Sequence, residues 1–426
     1  MSRSSVLPFE IIDQIIDNIE DEDAILLKEL ALVSHSFLQI CNKHLFATVD
    51  LHDAVPRDHV ASSKKGFVKL LKNRPDTVKY IRKLTYKVTL EYDFESESDW
   101  NLPVPPPPSL PNLLRTIPNL NCLTIDGAMS DWKTLESPLT SAFIYLMHLP
   151  TINHIDLSCI ENFPLSILTA CVNLHRLDIF RLEALNEHVE DDSFKIVVQP
   201  EMVPKIRELR TVSNSYYESL TTDLLLAKRQ DGRPAFFNFT NLRRLSISYN
   251  IFEDIRNIQY FLQNAKLLEK LDLSIGTGRN FMGLLSPGAR TLKVLDLALL
   301  LDDNCVSLPL SGLCEELEAM AGHDNMLEAL SLEFHVDGFE RKHFIGSILQ
   351  DVDKVLAKPG WSALRQVSFK ISIQCCMVFG EQIARLSKAL QSLPDNYLNH
   401  LPELESIAFS FSVCVVDKRP VCMEIN

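Results

Sequence analysis

The chain has no run of the ~18 consecutive apolar residues that a membrane span needs, so no spanning helix is expected. No signal peptide is expected either, since Met1-Ser2-Arg3-Ser4-Ser5 leads into a segment studded with acids. Basic residues are in deficit, 42 against 56 acidic ones, and the net charge of −14 argues against general nucleic-acid binding. Ten cysteines in 426 residues, without a secretory leader, read as reduced thiols, and the expected compartment is the cytoplasm, the nucleus or both. The one glycosylation match, Asn238-Phe239-Thr240, is expected to be idle for the same reason.

Catalytic signatures are missing as well. There is no Gly-x-Ser-x-Gly, no His-Glu-x-x-His and no phosphate loop. Gly276-Thr277-Gly278 resembles the start of a dinucleotide loop, but Phe281 stands where the third glycine belongs. Cys375 and Cys376 are adjacent, which is poor spacing for one metal ion. Cys41 and His44 fit the apolar face of a helix better than a zinc site with His35. The expectation is a protein without enzymatic activity, metal or cofactor. Scattered His and Asp residues leave an enzyme open as an alternative.

What is present begins with 46% hydrophobic residues, enough for a large core or several domains. Charge is unevenly spread. The first fifty residues carry nine acids against Arg3, Lys28 and Lys43, whereas from Arg57 to Lys87 only Asp58 and Asp76 are acidic. That basic stretch reads as a solvated face or as a site for acidic or phosphorylated partners.

Three short helical patterns fill residues 1–52. Ile11, Ile15 and Ile19 fall four apart, with Ile12 and Ile16 beside them, behind Pro8 at the helix entrance. Asp23 can cap a second helix through Leu26, Leu27 and Leu30, and Ser34 a third through Phe37, Ile40, Cys41, His44 and Leu45. A unit this small cannot bury so much apolar surface alone, so the surplus must face the rest of the chain or another protein. Leu7-Pro8-Phe9-Glu10-Ile11-Ile12, then Leu30-Ala31-Leu32-Val33-Ser34, Phe37 and His44-Leu45-Phe46, resemble an F-box. Phe37 stands near a place where that family often has Trp. The resemblance implies that a Skp-type adaptor binds here, through Leu7, Pro8, Ile11, Ile15, Leu30, Val33 and Phe37. A helical cap on a larger domain is the other reading.

After a connecting segment at 53–77, a pattern recurs from residue 78 to 416. Leu120-x-x-Leu123-x-Ile125 returns at Ile152, Ile155 and Leu157 and at Leu174, Leu177 and Ile179. It returns from Leu242, Leu268, Leu292, Leu327, Leu364 and Leu404, with degenerate copies from Ile81 and Ile206. Each copy alternates apolar with polar and predicts a strand with one buried face. Helices are predicted between copies at Thr140–Met147, Leu165–Cys171, Ile255–Gln263, Glu315–Ala321, His343–Leu356 and Gly380–Leu390, and ahead of them at Lys64–Lys72. Alternating strand and helix imply a parallel sheet, and the polar residue inside each copy implies that one face is uncovered. The pattern resembles a divergent leucine-rich-repeat array. The expected fold is therefore α/β, a three-helix F-box-like module followed by a curved solenoid with a parallel concave sheet. An acidic and proline-rich insertion, residues 91–111, and a second acidic loop at Glu187–Asp192 interrupt the array, and 417–426 form a tail.

Together the two resemblances imply the substrate receptor of a cullin–RING ubiquitin ligase, with an unidentified target protein held by the array. An interaction scaffold working outside any ligase is the alternative. Pleat geometry sends the residues between the inward leucines to the open face. There Asp156, Asp178, Asp272 and Asp296 form one column and Arg176, Arg244 and Lys270 the column before it, a mixed-charge surface expected to read the target.

Overall fold

The computed structural model describes residues 11, 14–16, 24–52, 64–88, 106–184, 203–213, 237–249, 255–276, 283–285, 288, 290–301, 312–321, 325–336, 342–374 and 380–416. The fold is α/β, with parallel strands separated by helices and turns. The chain divides into two compact units, Met1–Pro204 with Ala227–Phe237 and Lys205–Leu226 with Asn238–Asn426.

The first unit opens on helices. Residues 11 and 14–16 are helical, followed by α1 (Ala24–Ala31) and α2 (His35–Leu45). Ser34 is extended at the α2 N-cap, and its hydroxyl accepts the Phe37 N–H at 3.3 Å, satisfying one of the donors a helix start leaves free. Asp23, expected to cap α1, lies outside the described residues. Ile16, Leu27, Ile40 and Cys41 form a small core, with Leu30, Ala31, Phe37 and Leu45 packed against it.

A strand that the leucine pattern does not announce follows directly: β1 (Thr48–Leu51) pairs parallel with β2 (Lys83–Lys87), Thr48 opposite Lys83 and Leu51 opposite Tyr86. β3 (Cys122–Asp131), β4 (His154–Phe163) and β5 (Arg176–Ala184) join in sequence order, all parallel. Between them lie α3 (Lys64–Asn73), α4 (Leu110–Leu114) and α5 (Ser137–Met147). The helix expected at Leu165–Cys171 is instead a 3-10 helix, Leu165–Ala170. Only twelve residues (176 − 163 − 1) separate β4 from β5, and a tight turn fits that short connection.

Leu84 and Tyr86, Leu123 and Ile125, Ile155 and Leu157, and Leu177 and Ile179 are all buried. The helices cover this face: the Phe143 ring of α5 meets the Tyr86 ring edge-on at 4.9 Å. The residues between them stay mostly half-exposed on the other face. Near their C-terminal ends β3 and β4 bulge, and Ala128, Met129, Cys159, Asn162 and, on β5, Arg181 sit in the left-handed region at φ of 49–67°. Gly127 is needed there, because a Cβ on it would lie 2.6 Å from the Cys159 carbonyl oxygen.

The second unit repeats the arrangement. β6 (Glu208–Ser213), β7 (Arg244–Tyr249), β8 (Lys270–Gly276) and β9 (Val294–Leu301) are followed by β10 (Ala329–Val336), β11 (Gln366–Gln374) and β12 (Ala408–Val416). Each is parallel to the next. The connections hold α6 (Ile255–Asn264), α7 (Leu313–Ala321), α8 (Lys342–Leu356), α9 (Gly380–Gln391) and α10 (Leu393–Tyr397). Leu209, Leu245, Leu271, Leu295, Leu330 and Val367 form one buried row across six strands.

Two buried acids tie connections to helices. Asp353 on α8, 1% exposed, accepts the Leu401 N–H at 2.8 Å, the Asn399 N–H at 3.0 Å and the His400 N–H at 3.1 Å. Glu316 on α7 accepts the N–H groups of Gly283 and Leu285. A buried carboxylate is tolerable when hydrogen bonds of this kind replace its hydration.

Truncating the row should be costly. Leu245→Ala, Leu271→Ala and Leu295→Ala are each expected to lower unfolding free energy by about 2–5 kcal/mol in chemical denaturation. A loss below about 1 kcal/mol at all three would mean that the row is not a continuous core.

Candidate functional site

Of the residues expected to hold an adaptor, Leu7 and Pro8 lie outside the described residues. Leu30 and Phe37 are half-buried against the small N-terminal core, whereas Ile11, Ile15 and Val33 are exposed. Three residues not in the expected set join them. Ile25 is 72% exposed, Leu32 87%, and Leu26 is also exposed. Ile25 and Leu26 lie on α1, and Leu32 and Val33 in the turn that leaves it. Their signal was present in the sequence: α1 is apolar nearly all round, Ala24-Ile25-Leu26-Leu27, and so small a core can bury only one stripe.

The second set lies on the open face of the sheets. In the first unit Lys83, Cys122, His154 and Arg176 stand side by side on β2 to β5, and Thr85, Thr124, Asp156 and Asp178 form the next column. In the second unit the first column runs Glu208, Arg244, Lys270, Val294, Ala329, Gln366 and Ala408. The second runs Arg210, Ser246, Asp272, Asp296, Ser331, Ser368 and Ser410.

Many of these charges are already matched. Arg176 reaches Asp178 with Nη2 at 2.8 Å and Nε at 3.1 Å from Oδ2. The same oxygen lies 3.0 Å from His154 Nε2. His154 Nδ1 in turn lies 3.1 Å from Cys122 Sγ. Three adjacent strands thus link a thiol, an imidazole, a carboxylate and a guanidinium by successive contacts. In the second unit Lys270 Nζ is 2.8 Å from Asp296 and Arg244 is 3.3 Å from Glu208. Further along, Glu333 receives Ser372 Oγ at 2.6 Å and Lys370 Nζ at 2.9 Å, with His335 at 3.6 Å.

These contacts move the titrations. Burial by itself would raise the Asp178 carboxyl, but hydrogen bonds from His154 and Arg176 outweigh it and hold it below its ordinary value. Asp156 is raised, first by burial and then by the Asp178 charge beside it. Asp272 is raised by burial and by Asp296, partly offset by Ser246, whose hydroxyl donates to it at 3.2 Å. Glu333 is lowered, since its bonds from Ser372 and Lys370 overcome the burial that opposes them. Burial alone would lower His154, yet its contacts with Asp178 and Cys122 carry it to about 9.

Sequence reading did not single out Cys122, His154, Glu333 or Lys370. Their positions were available: Cys122 and His154 occupy the place in their copies of the leucine pattern that Arg176 occupies in its own.

Among the described residues no three His, Cys, Asp or Glu side chains form a group that could hold a metal ion, and no helix is long and apolar enough to cross a membrane. Cys375 and Cys376 lie outside the described residues. No family model and no curated protein matches the chain.

The His154 geometry sets a pH dependence. A folded value near 9, above the ordinary ~6.5, means that its pairing adds stability that is complete below pH ~6.5 and lost as pH climbs through 9. NMR titration should show a charged imidazole at neutral pH, and Asp178→Asn should move its midpoint downward. A wild-type midpoint below 7 would contradict the arrangement.

Proposed function

We propose that this chain is the substrate-recognition subunit of a cullin–RING ubiquitin ligase of the SCF type. In this reading the N-terminal helices hold a Skp-type adaptor and the open, concave face of a leucine-rich-repeat solenoid holds the target protein. The carrying observation is the exposure of Ile25 on α1 and of Leu32 and Val33 in the turn that follows it, at 72%, 87% and 67%, beside helices that share a small core. Apolar side chains left out in this way mark interaction surfaces. They fall within the segment whose Leu-Pro start, Ala-Leu-Val-Ser middle and His-Leu-Phe end resemble an F-box.

The mechanism would be proximity. The chain would do no covalent chemistry on the target, but would turn an encounter between target and ubiquitin donor into a near-unimolecular event. Asp156, Arg176, Asp178, Arg244, Lys270, Asp272 and Asp296 would face the target. Paired charges of both signs favour register and selectivity over raw affinity. The expected compartment is the cytoplasm or nucleus, with neither nucleic acid nor membrane as a partner.

Two measurements test the reading. Co-expressed full-length chain and Skp-type adaptor should elute together in equal amounts. Leu32→Asp with Val33→Asp should weaken that binding at least tenfold, ~1.4 kcal/mol, without moving the melting temperature, and Leu7→Ala with Pro8→Ala should also weaken it tenfold. A wild-type chain that elutes without the adaptor would refute the proposal. For the second site, Asp272→Lys with Asp296→Lys should lose the ubiquitinated proteins captured by wild type while keeping the adaptor. Recovery of the same proteins would exclude this face as the reader.

A further inference from the structure

We propose that Cys122 is a covalent modification site, a nucleophilic sulfur on the open face that is oxidised by small hydroperoxides, with His154 as its proton carrier and Asp178 as the group that fixes the ring. This goes beyond target and adaptor binding and stands whether or not those are correct.

The geometry is that of an activated nucleophile. His154 Nε2 is committed to Asp178 at 3.0 Å, so the ring is held with Nδ1 toward Cys122 Sγ at 3.1 Å. Asp178 is itself held by Arg176. A proton between sulfur and Nδ1 can reside on either atom. When it resides on nitrogen, the sulfur is the nucleophilic thiolate beside a charged imidazole that Asp178 also holds. Lys83 stands next to Cys122 on β2, and Asp156 follows His154 on its own strand. Cys122 is half-buried, whereas Cys41 and Cys171 are buried.

The reaction balances with the groups present. The thiolate attacks the terminal oxygen of a hydroperoxide, the S–O bond forms and the O–O bond breaks. The departing alkoxide or hydroxide takes the proton from His154 Nδ1. Sulfur is oxidised to sulfenic acid and the peroxide is reduced to alcohol or water. Acyl transfer fits less well, because it needs backbone donors aimed at a developing oxyanion. Here the Cys122 N–H is given to the Arg82 carbonyl at 3.1 Å and the His154 N–H to the Asn121 carbonyl at 3.1 Å.

The experiment uses the full-length chain, hydrogen peroxide with dimedone as the sulfenic-acid trap, and iodoacetamide in parallel, each mapped by peptide mass spectrometry from pH 6 to 8.5. In the native protein Cys122 should be labelled at least tenfold faster than half-buried Cys159 and Cys314 at pH 6.5, with a rate nearly flat in pH. Unfolding in urea should abolish that advantage. His154→Gln should slow the reaction at pH 6.5 at least tenfold and restore a rate that climbs with pH. A native Cys122 rate equal to that of Cys159 and rising with pH would overturn the proposal without reference to any variant. So would a His154→Gln protein that is still folded by circular dichroism and labels as fast as wild type.

Discussion

Residue-for-residue hydrogen bonding between consecutive parallel strands is the constraint from which the rest of each unit follows. Once Leu245 is opposite Leu271 and Leu271 opposite Leu295, the next residue of every strand must point the other way. One register therefore fixes both the buried row and the columns of the open face. The helices answer the first of these. They pack where the leucines point, as the Phe143 contact with Tyr86 shows, and they leave the second face half-exposed. Asp353 and Glu316 complete the arrangement from the helical side, each giving carboxyl acceptors to backbone N–H groups of the connections.

The open face is chemically different in the two units. In the first, the charges converge on one carboxylate, Asp178, which serves an arginine and a histidine at once. In the second they form separate pairs along the ladder, Lys270 with Asp296 and Lys370 with Glu333, interleaved with the serines at 246, 331, 368 and 410. Half-exposed pairs of this kind contribute little stability. Any ligand that replaced one partner would have to supply the same sign in the same place, which is a requirement on pattern. The cluster around Asp178 is more buried, and replacing a member leaves another charge without its counterpart.

Among the described residues, eleven of the twelve strands are legible in the sequence, because burial on one face writes itself as apolar alternation. β1 is not, since Thr48-Val49-Asp50-Leu51 is four residues long and follows a helix with no turn signal between them. The 3-10 helix at Leu165–Ala170 reads as an α-helix because its apolar spacing suits both, and only the length of the connection decides. The open-face columns follow from alignment of the copies, so Asp156 and Asp178, or Asp272 and Asp296, are adjacent in sequence reading and in space. Which acid meets which base is another matter. It depends on rotamers and on reach across a strand spacing, and neither the link from Cys122 to His154 nor that from Ser372 to Glu333 has a sequence signature.

Successive strands begin at 122, 154 and 176 and then at 244, 270, 294, 329, 366 and 408, so their spacing varies from 22 (176 − 154) to 42 (408 − 366) residues without disturbing the pairing. Length on the connector side is a free variable, while phase inside the strand is not. Extra residues between strands enlarge the back of the sheet and leave the columns where they were. Deleting Leu271 from β8 would instead turn Asp272 inward and Leu273 to solvent in a single step. The surface is thus insulated from drift in chain length and acutely sensitive to parity.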